Sequence, residues 1–352
     1  MRRKIFLVIF IFIFLTGCSI KFSSQKNENG GFFASYNKGD DWQASSLVLK
    51  SDGNSNFQSQ NVNFLVMDPT DNQALYLGTD TGLFYSYDYG KSWQQTLGGI
   101  GSLRAIAIDP DNRCTIYASI NNRLYKTVDC SRHWSYKLIE ESTADMSITS
   151  ISARENSDII YAGTVKGGLF TSSNSGESWR NLKYFDSSIE KIMISSDNST
   201  MYLATSKNGI FRSDNNAEDW INVNDNIQQA INDGAIDSAC NINEFQELIF
   251  DPQNNQRLLF ANHCLLESND KGQTWKQIKL LTRPQDTTIY SLAVSYSNPD
   301  EIFYGTDLTF YKSSDNGINW TTKELPTTRA ATTLLTDPVN PTLLYLGVNN
   351  FK

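Results

Sequence analysis

The chain is poor in the residues on which metal, redox and phosphate chemistry depend. Its 352 residues include only two histidines, His133 and His263, far apart in the sequence. A His-built zinc site or a Ser-His-Asp triad therefore has no support. There is no Cys-x-x-Cys, no close His pair and no Gly-rich phosphate cradle, so no cofactor is expected. Positive charge is also scarce: 30 Lys and Arg face 38 Asp and Glu, for a formal charge of −8. That balance disfavours nucleic acid as a partner. No apolar run is long enough to cross a bilayer; the stretch at residues 5–15 spans only 11 residues.

What is present is a repeat. All seven tryptophans occupy one slot of the motif Ser/Thr-x-Asp/Asn-x-Gly-x-x-Trp. The copies run Ser35, Asn37, Gly39, Trp42; Ser86, Asp88, Gly90, Trp93; and Thr127, Asp129, Ser131, Trp134. They continue through Ser172, Asn174, Gly176, Trp179 and Ser213, Asn215, Ala217, Trp220. The last are Ser268, Asp270, Gly272, Trp275 and Ser313, Asp315, Gly317, Trp320. Trp-to-Trp spacings of 51, 41, 45, 41, 55 and 45 residues match the period of a four-stranded propeller blade. An active site is needed once and a turn is needed in every blade, so the acidic residues of the motif read as turn formers. Asp or Asn accepts backbone N–H bonds, Gly supplies φ > 0, and the Trp opens the next strand and seals the blade edge. Ser131 and Ala217 stand where the other copies have Gly, and those two turns are expected to be distorted.

The segments between motifs agree. Apolar runs such as residues 74–79, 159–164 and 302–306 precede each box and are followed by a second run such as Gly82-Leu83-Phe84. An earlier strand ends at a polar turn, often Asp-Pro, as at Asp68, Asp109, Asp251 and Asp337. Three short strands and a fourth opened by Trp make one blade. The expected fold is all-β, a seven-bladed propeller of four-stranded blades over residues 31–352. The 32 residues after Trp320 hold two strands and no box, while the first box has one strand before it, at residues 31–35. Together these amount to one repeat, so the last blade is shared between the termini, which closes the ring without a free sheet edge.

The N-terminus resembles a bacterial lipoprotein signal. Arg2, Arg3 and Lys4 precede the apolar stretch, and Leu15-Thr16-Gly17-Cys18 follows. The resemblance implies a signal peptide at residues 1–17, lipidation of Cys18, anchoring to a membrane outside the cytoplasm, and a polar tether at residues 18–30. In a two-membrane envelope, Ser19 after the Cys favours the outer membrane. An ordinary signal peptide with an incidental Cys is the alternative. Removal of residues 1–17 takes the formal charge from −8 to −11. The four remaining cysteines sit in a compartment that allows oxidation. Blade geometry permits Cys114 with Cys130 and Cys240 with Cys264 and forbids crossed pairs; free thiols are the alternative.

Together these repeats resemble the Asp-box (BNR-like) seven-bladed propellers of sortilin-like and xyloglucanase-like proteins and of photosystem II assembly factors. The resemblance spans residues 31–352 and is specific for fold rather than function. It implies ligand binding on the face made by the blade-leading loops and the middle turns, above the central channel. Residues expected there are Arg104, Lys166, Lys207, His263, Asp307 and Arg329. The one large departure from the repeat, residues 221–245, adds Asp233 and Asp237. Residues 221–256 contain six acids and no Lys or Arg, and residues 225–232 suit a short helix. The insertion reads either as a solvated decoration, removable at small cost to the core, or as a recognition element. The expected function is a non-catalytic binding or assembly scaffold for a protein or glycan partner. A sialidase-like or xyloglucanase-like glycoside hydrolase is the alternative. Hydrolysis needs two carboxylates about 5–9.5 Å apart, for which Asp307 and an acid of the leading loops would serve. A sialidase also needs three arginines on one carboxylate, and only Arg104 and Arg329 are suitably placed.

Overall fold

The computed structural model describes residues 30–139 and 146–350. The expected signal peptide, Cys18 and nearly all of the expected tether lie outside the described residues. Alternating apolar residues and regularly spaced turns give seven four-stranded antiparallel sheets. In blade 1 the strands run outward as Val62–Asp68, Asp71–Thr79, Gly82–Ser86 and Gln94–Thr96. The inner strands of blades 2 to 6 are Leu103–Ile108, Ile148–Ala153, Ile189–Ile194, Glu247–Asp251 and Ser291–Val294. Blade 7 takes Ala330–Thr336 and Leu344–Asn349 from the C-terminal side and Gly31–Ser35 and Gln43–Ala44 from the N-terminal side. Gly31 pairs with Val348 and Ser35 with Leu344, so the ring closes through a full antiparallel ladder, as the shared-blade reading requires.

The seven motif turns have one geometry. In each, the Ser or Thr hydroxyl donates to the Asp or Asn Oδ1 at 2.7–3.0 Å. The same hydroxyl oxygen accepts the N–H of the Gly-slot residue at 2.8–3.2 Å. Two consecutive residues are left-handed: the first has φ of 54–64°, the Gly-slot residue 67–88°. Ser131 and Ala217 adopt this conformation too, with φ 69° and 67°. The expected distortion does not occur. The hydrogen-bond net and the strands on either side over-determine the turn, and these two residues carry a left-handed strain that Gly avoids.

Each turn also docks on the preceding blade. A Cβ built on Gly39 would meet Phe310 of blade 6 at 2.2 Å, and one on Gly317 would meet Ile278 of blade 5 at 2.1 Å. At Gly39, Gly90 and Gly317 the motif thus meets two demands, left-handed φ and close approach, whereas a Cβ on Gly176 would find its nearest neighbour at 3.5 Å. From the other side, Tyr117 and Tyr202 in second strands donate to Ser175 O at 3.3 Å and Lys271 O at 3.0 Å in the next blade's turn. Three motif tryptophans reach back to the preceding blade's outer segment: Trp93 Nε1 to Ser45 O, Trp134 to Thr96 Oγ1 and Trp320 to Lys279 O. Trp93 and Trp275 are buried, and the other five are half-buried in the grooves between blades. The connection from blade 7 to blade 1 forms a small extra hairpin, Leu47–Val48 with Ser55–Asn56, whose Val48 pairs alongside Trp93.

The turn carboxylates are held below their ordinary range. For Asp88 and Asp270, burial acts upward but is outweighed by the hydroxyl and N–H of Ser92 and Thr274. Asp129 and Asp315 are held low chiefly by the N–H groups of His133 and Asn319. A folded-state pKa below the unfolded 3.8 means stability that is complete above about pH 4 and lost as pH falls through the folded value. Asn already fills this slot at Asn37, Asn174 and Asn215. The quadruple variant Asp88→Asn, Asp129→Asn, Asp270→Asn, Asp315→Asn should therefore unfold less steeply than wild type between pH 4 and pH 2 in a melting-temperature series. Parallel acid limbs would refute the linkage.

Candidate functional site at the channel mouth

The inner strands do not pair regularly at their first turns. In five blades one extra residue interrupts the ladder: Asn63, Arg104, Thr149, Glu190 and Thr332. Tyr290 sits equivalently in blade 6, since its N–H donates to Gly305 O while Ser291 is the residue paired with Gly305. Gln246 precedes the first paired residue of blade 5. A bulge turns an otherwise alternating side chain toward a new direction. All seven residues line one central cavity of about 840 Å³. Below them the wall is mixed: Leu65, Ile106, Ile151, Ile192, Leu292 and Leu334 alternate with polar residues such as Ser150, Lys191, Glu247 and Thr333.

The bulge residues divide into two kinds. Three neutral ones clasp the next blade: Asn63 Nδ2 donates to Leu103 O at 3.1 Å, Thr149 Oγ1 to Ile189 O, and Thr332 Oγ1 to Val62 O at 3.2 Å. The last of these bridges blades 7 and 1. The two charged ones, Arg104 and Glu190, are exposed in the cavity and form no hydrogen bond or ion pair with any described residue. One residue deeper, Lys191 of blade 4 and Glu247 of blade 5 form an ion pair with each other.

The insertion builds part of the rim. The helix Asn224–Asn232 starts without a side-chain cap. Its Ile227 and the following Ile236 and Ile242 are buried with Tyr202, Phe260 and Trp275. Asn224 accepts the Ile210 N–H at 3.0 Å and donates to Ile242 O at 2.8 Å. A disulfide joins Cys240 to Cys264, with Cα atoms 5.7 Å apart. The segment is therefore not a decoration with little share in the core: apolar residues scattered through the polar stretch anchor it between blades 4 and 5. Just before the cavity-lining Phe245, Gln246 and Glu247, the Glu244 carboxylate lies 3.0 Å from His263 Nε2. His263 Nδ1 lies 2.8 Å from Thr287 O in the loop leading to blade 6.

Of the residues expected on this face, only Arg104 lines the cavity. His263 lies outside the lining, on the middle turn of blade 5, between Glu244 and Thr287. Arg329, half-buried, donates to Asn61 Oδ1 at 3.0 Å and Ser59 O at 3.1 Å, tying blade 7 to the approach to blade 1. Lys166, Lys207 and Asp307 are exposed on middle turns outside the cavity, and Asp233 and Asp237 are exposed on the insertion. Asp237 is engaged locally, accepting the Ala239 N–H at 2.9 Å. Glu190, Lys191, Glu247 and Tyr290 were missed. Aligning the residue after the first buried apolar position of each inner strand would have found the bulge set. On the opposite face Cys114 is bonded to Cys130, and His133 lies 2.6 Å from Asp129. No helix among the described residues is long and apolar enough to cross a membrane.

Seven sheets around a channel with a bulge-built mouth make this a β-propeller. The DUF6242 β-propeller domain matches residues 95–345, and the chain belongs to that family. A xyloglucanase from a Paenibacillus species is 39% identical over 75 residues, 21% of this chain and 7% of that protein. A xyloglucanase of Hypocrea jecorina is 26% identical over 176 residues, 47% of this chain and 21% of that one. The chain therefore spans only a small part of the curated relatives it matches. Among solved structures, the GH74 xyloglucanase of Xanthomonas campestris aligns with a TM-score of 0.65 at 12% identity, over 82% of this chain and 51% of that one. YCF48 bound to D1 peptide aligns at 0.61 with 16% identity, over 83% and 93%. The extracellular domain of a one-component system from B. thetaiotaomicron aligns at 0.62 with 16% identity, over 86% and 38%. At these identities the likeness is one of fold.

Burial of Ile227 makes the insertion a load on stability. Ile227→Ala should cost about 2–5 kcal/mol, as for other buried isoleucines. Chemical denaturation checks this, and an unchanged midpoint would return the segment to the status of a surface loop.

Proposed function

We propose that this chain is a non-catalytic binding scaffold held outside the cytoplasm, whose protein or glycan partner seats at the channel mouth. The observation that carries the reading is the bulge ring: one side chain per blade turned toward a cavity of about 840 Å³, two of them charged and without a partner among the described residues. Concave sites with an apolar wall and a few convergent polar groups are the usual form of ligand sites. Relatives of the same fold support it. One is described with a bound peptide, others are named for a glycan substrate, and one is an extracellular domain. The hydrolase reading draws on the xyloglucanase relatives and on two mouth carboxylates, Glu190 and Glu247. Glu247 is engaged by Lys191. The carboxyls held low, at Asp88, Asp129, Asp197, Glu267, Asp270 and Asp315, lie outside the cavity lining.

The test uses a photo-crosslinking residue at Gln246 in the mouth, with the same residue at Glu177 on the motif-turn face as control. Discrete adducts from Gln246 alone, lost in Arg104→Ala/Glu190→Ala while the melting temperature holds within a few degrees, are expected. Equal labelling at both positions would sink the assignment. Release of reducing sugar from xyloglucan that Glu190→Gln abolishes would overturn the non-catalytic reading.

The domain organisation proposed with this function is a signal peptide at residues 1–17, a lipid on Cys18, a tether to residue 30 and the propeller beyond. A lipid on Cys18 would present the mouth at a membrane surface, since several acyl chains give stable anchoring. Cys18→Ser should leave the protein unprocessed or move it to the soluble fraction. Unchanged fractionation with unchanged mass would remove the anchor from the proposal.

A further inference from the structure

We infer that the mouth is built for a polypeptide segment carrying both an acidic and a basic side chain, the acid against Arg104 and the base against Glu190. The inference rests on the binding reading above and names the class of partner. The bulge residues differ in what they bind. Asn63, Thr149 and Thr332 spend their polar groups on the next blade's backbone. Arg104 and Glu190 occupy the same strand position and form no such clasp, so the ring closes without them. Their charges serve no contact among the described residues.

The placement of these two charges then limits the ligand. Arg104 belongs to blade 2 and Glu190 to blade 4, with the inner strand of blade 3 and its neutral Thr149 between them. No ion pair joins them, whereas the neighbouring Lys191 and Glu247 neutralise one another. Among the described cavity-lining residues, Arg104 and Glu190 are thus a cation and an anion without a countercharge on a single arc, above a lining that includes Leu65, Ile106, Ile151 and Ile192. A neutral glycan seated here would strip water from both charges and return no countercharge, which is costly. A uniformly acidic or basic ligand would satisfy one charge and oppose the other. A peptide with residues of both signs flanking an apolar side chain satisfies the pair and fills the apolar channel. The order of its charges would also fix its direction across the mouth, because complementary charge sets register and orientation.

A random peptide library displayed on phage and panned on the folded propeller tests this. Wild type should enrich peptides with one acidic and one basic residue around an apolar one. Either single reversal, Arg104→Glu or Glu190→Lys, should weaken a selected peptide by roughly tenfold or more. The double reversal should prefer the same peptide with its two charges exchanged. Enriched peptides of no fixed charge pattern, or binding that both reversals leave untouched, overturn the inference. Gln246→Trp, which fills the mouth, separates the two levels. If it abolishes binding that the reversals do not affect, the mouth binds but not through this charge pair. The same holds if wild type takes xyloglucan oligosaccharides in place of peptides and Gln246→Trp blocks them. If peptides bind and Gln246→Trp changes nothing, or if neither probe binds, the mouth is not the site and the proposed function fails with the inference.

Discussion

The fold depends on the seating of each motif turn against the blade before it. A turn with two successive left-handed residues lays its backbone against the neighbouring sheet, at Gly39, Gly90 and Gly317 closer than a β-carbon permits. In those three blades Gly resolves both demands, as Gly39 does under Phe310 and Gly317 under Ile278. The Ser or Thr hydroxyl and the Asp or Asn carbonyl oxygen bind the turn's own N–H groups, so the approach leaves those donors satisfied. Blades 2 and 4 hold the same geometry with Ser131 and Ala217. The hydrogen-bond net is therefore strong enough to impose a conformation that the local residue disfavours.

From that seating follows a ring whose members touch only their neighbours, which makes closure the next constraint. Blade 7 meets it with the ladder between Gly31–Ser35 and Leu344–Asn349, and Thr332 adds a clasp from the last inner strand to Val62 of the first blade. Arg329 adds a second tie at the same seam, to Asn61 and Ser59. The mouth is a by-product of this construction. Bulges that let neutral side chains clasp the next blade place charged side chains, where they occur, at the cavity rim without a contact among the described residues.

The insertion in blade 4 shows how composition misleads. Its acids and lack of Lys or Arg suggest a solvated loop, yet Ile227, Ile236 and Ile242 are buried and Cys240 is bonded to Cys264. Burial of three isoleucines offsets the cost of ordering a polar segment. The result is a firm shelf that sets Phe245, Gln246 and Glu247 against the channel, with Glu244 and His263 joining two leading loops beside it.

Blade number, blade period and the shared last blade were legible in the residue order alone. Tryptophan spacing and alternating apolar residues report local geometry, and a repeat states it seven times. The helix of the insertion was legible too, at residues 225–232 against the observed Asn224–Asn232. The working face was not. Of the charged residues expected there, Lys166, Lys207 and Asp307 are exposed outside the cavity, while Glu190 and Glu247 line it. Which side chain enters a channel depends on a one-residue slip in strand pairing. The residue after the first apolar position of each inner strand can be aligned in the sequence, but that it slips into the channel, as Arg104 and Glu190 do, is decided by hydrogen bonds between strands and between blades that only the tertiary structure supplies.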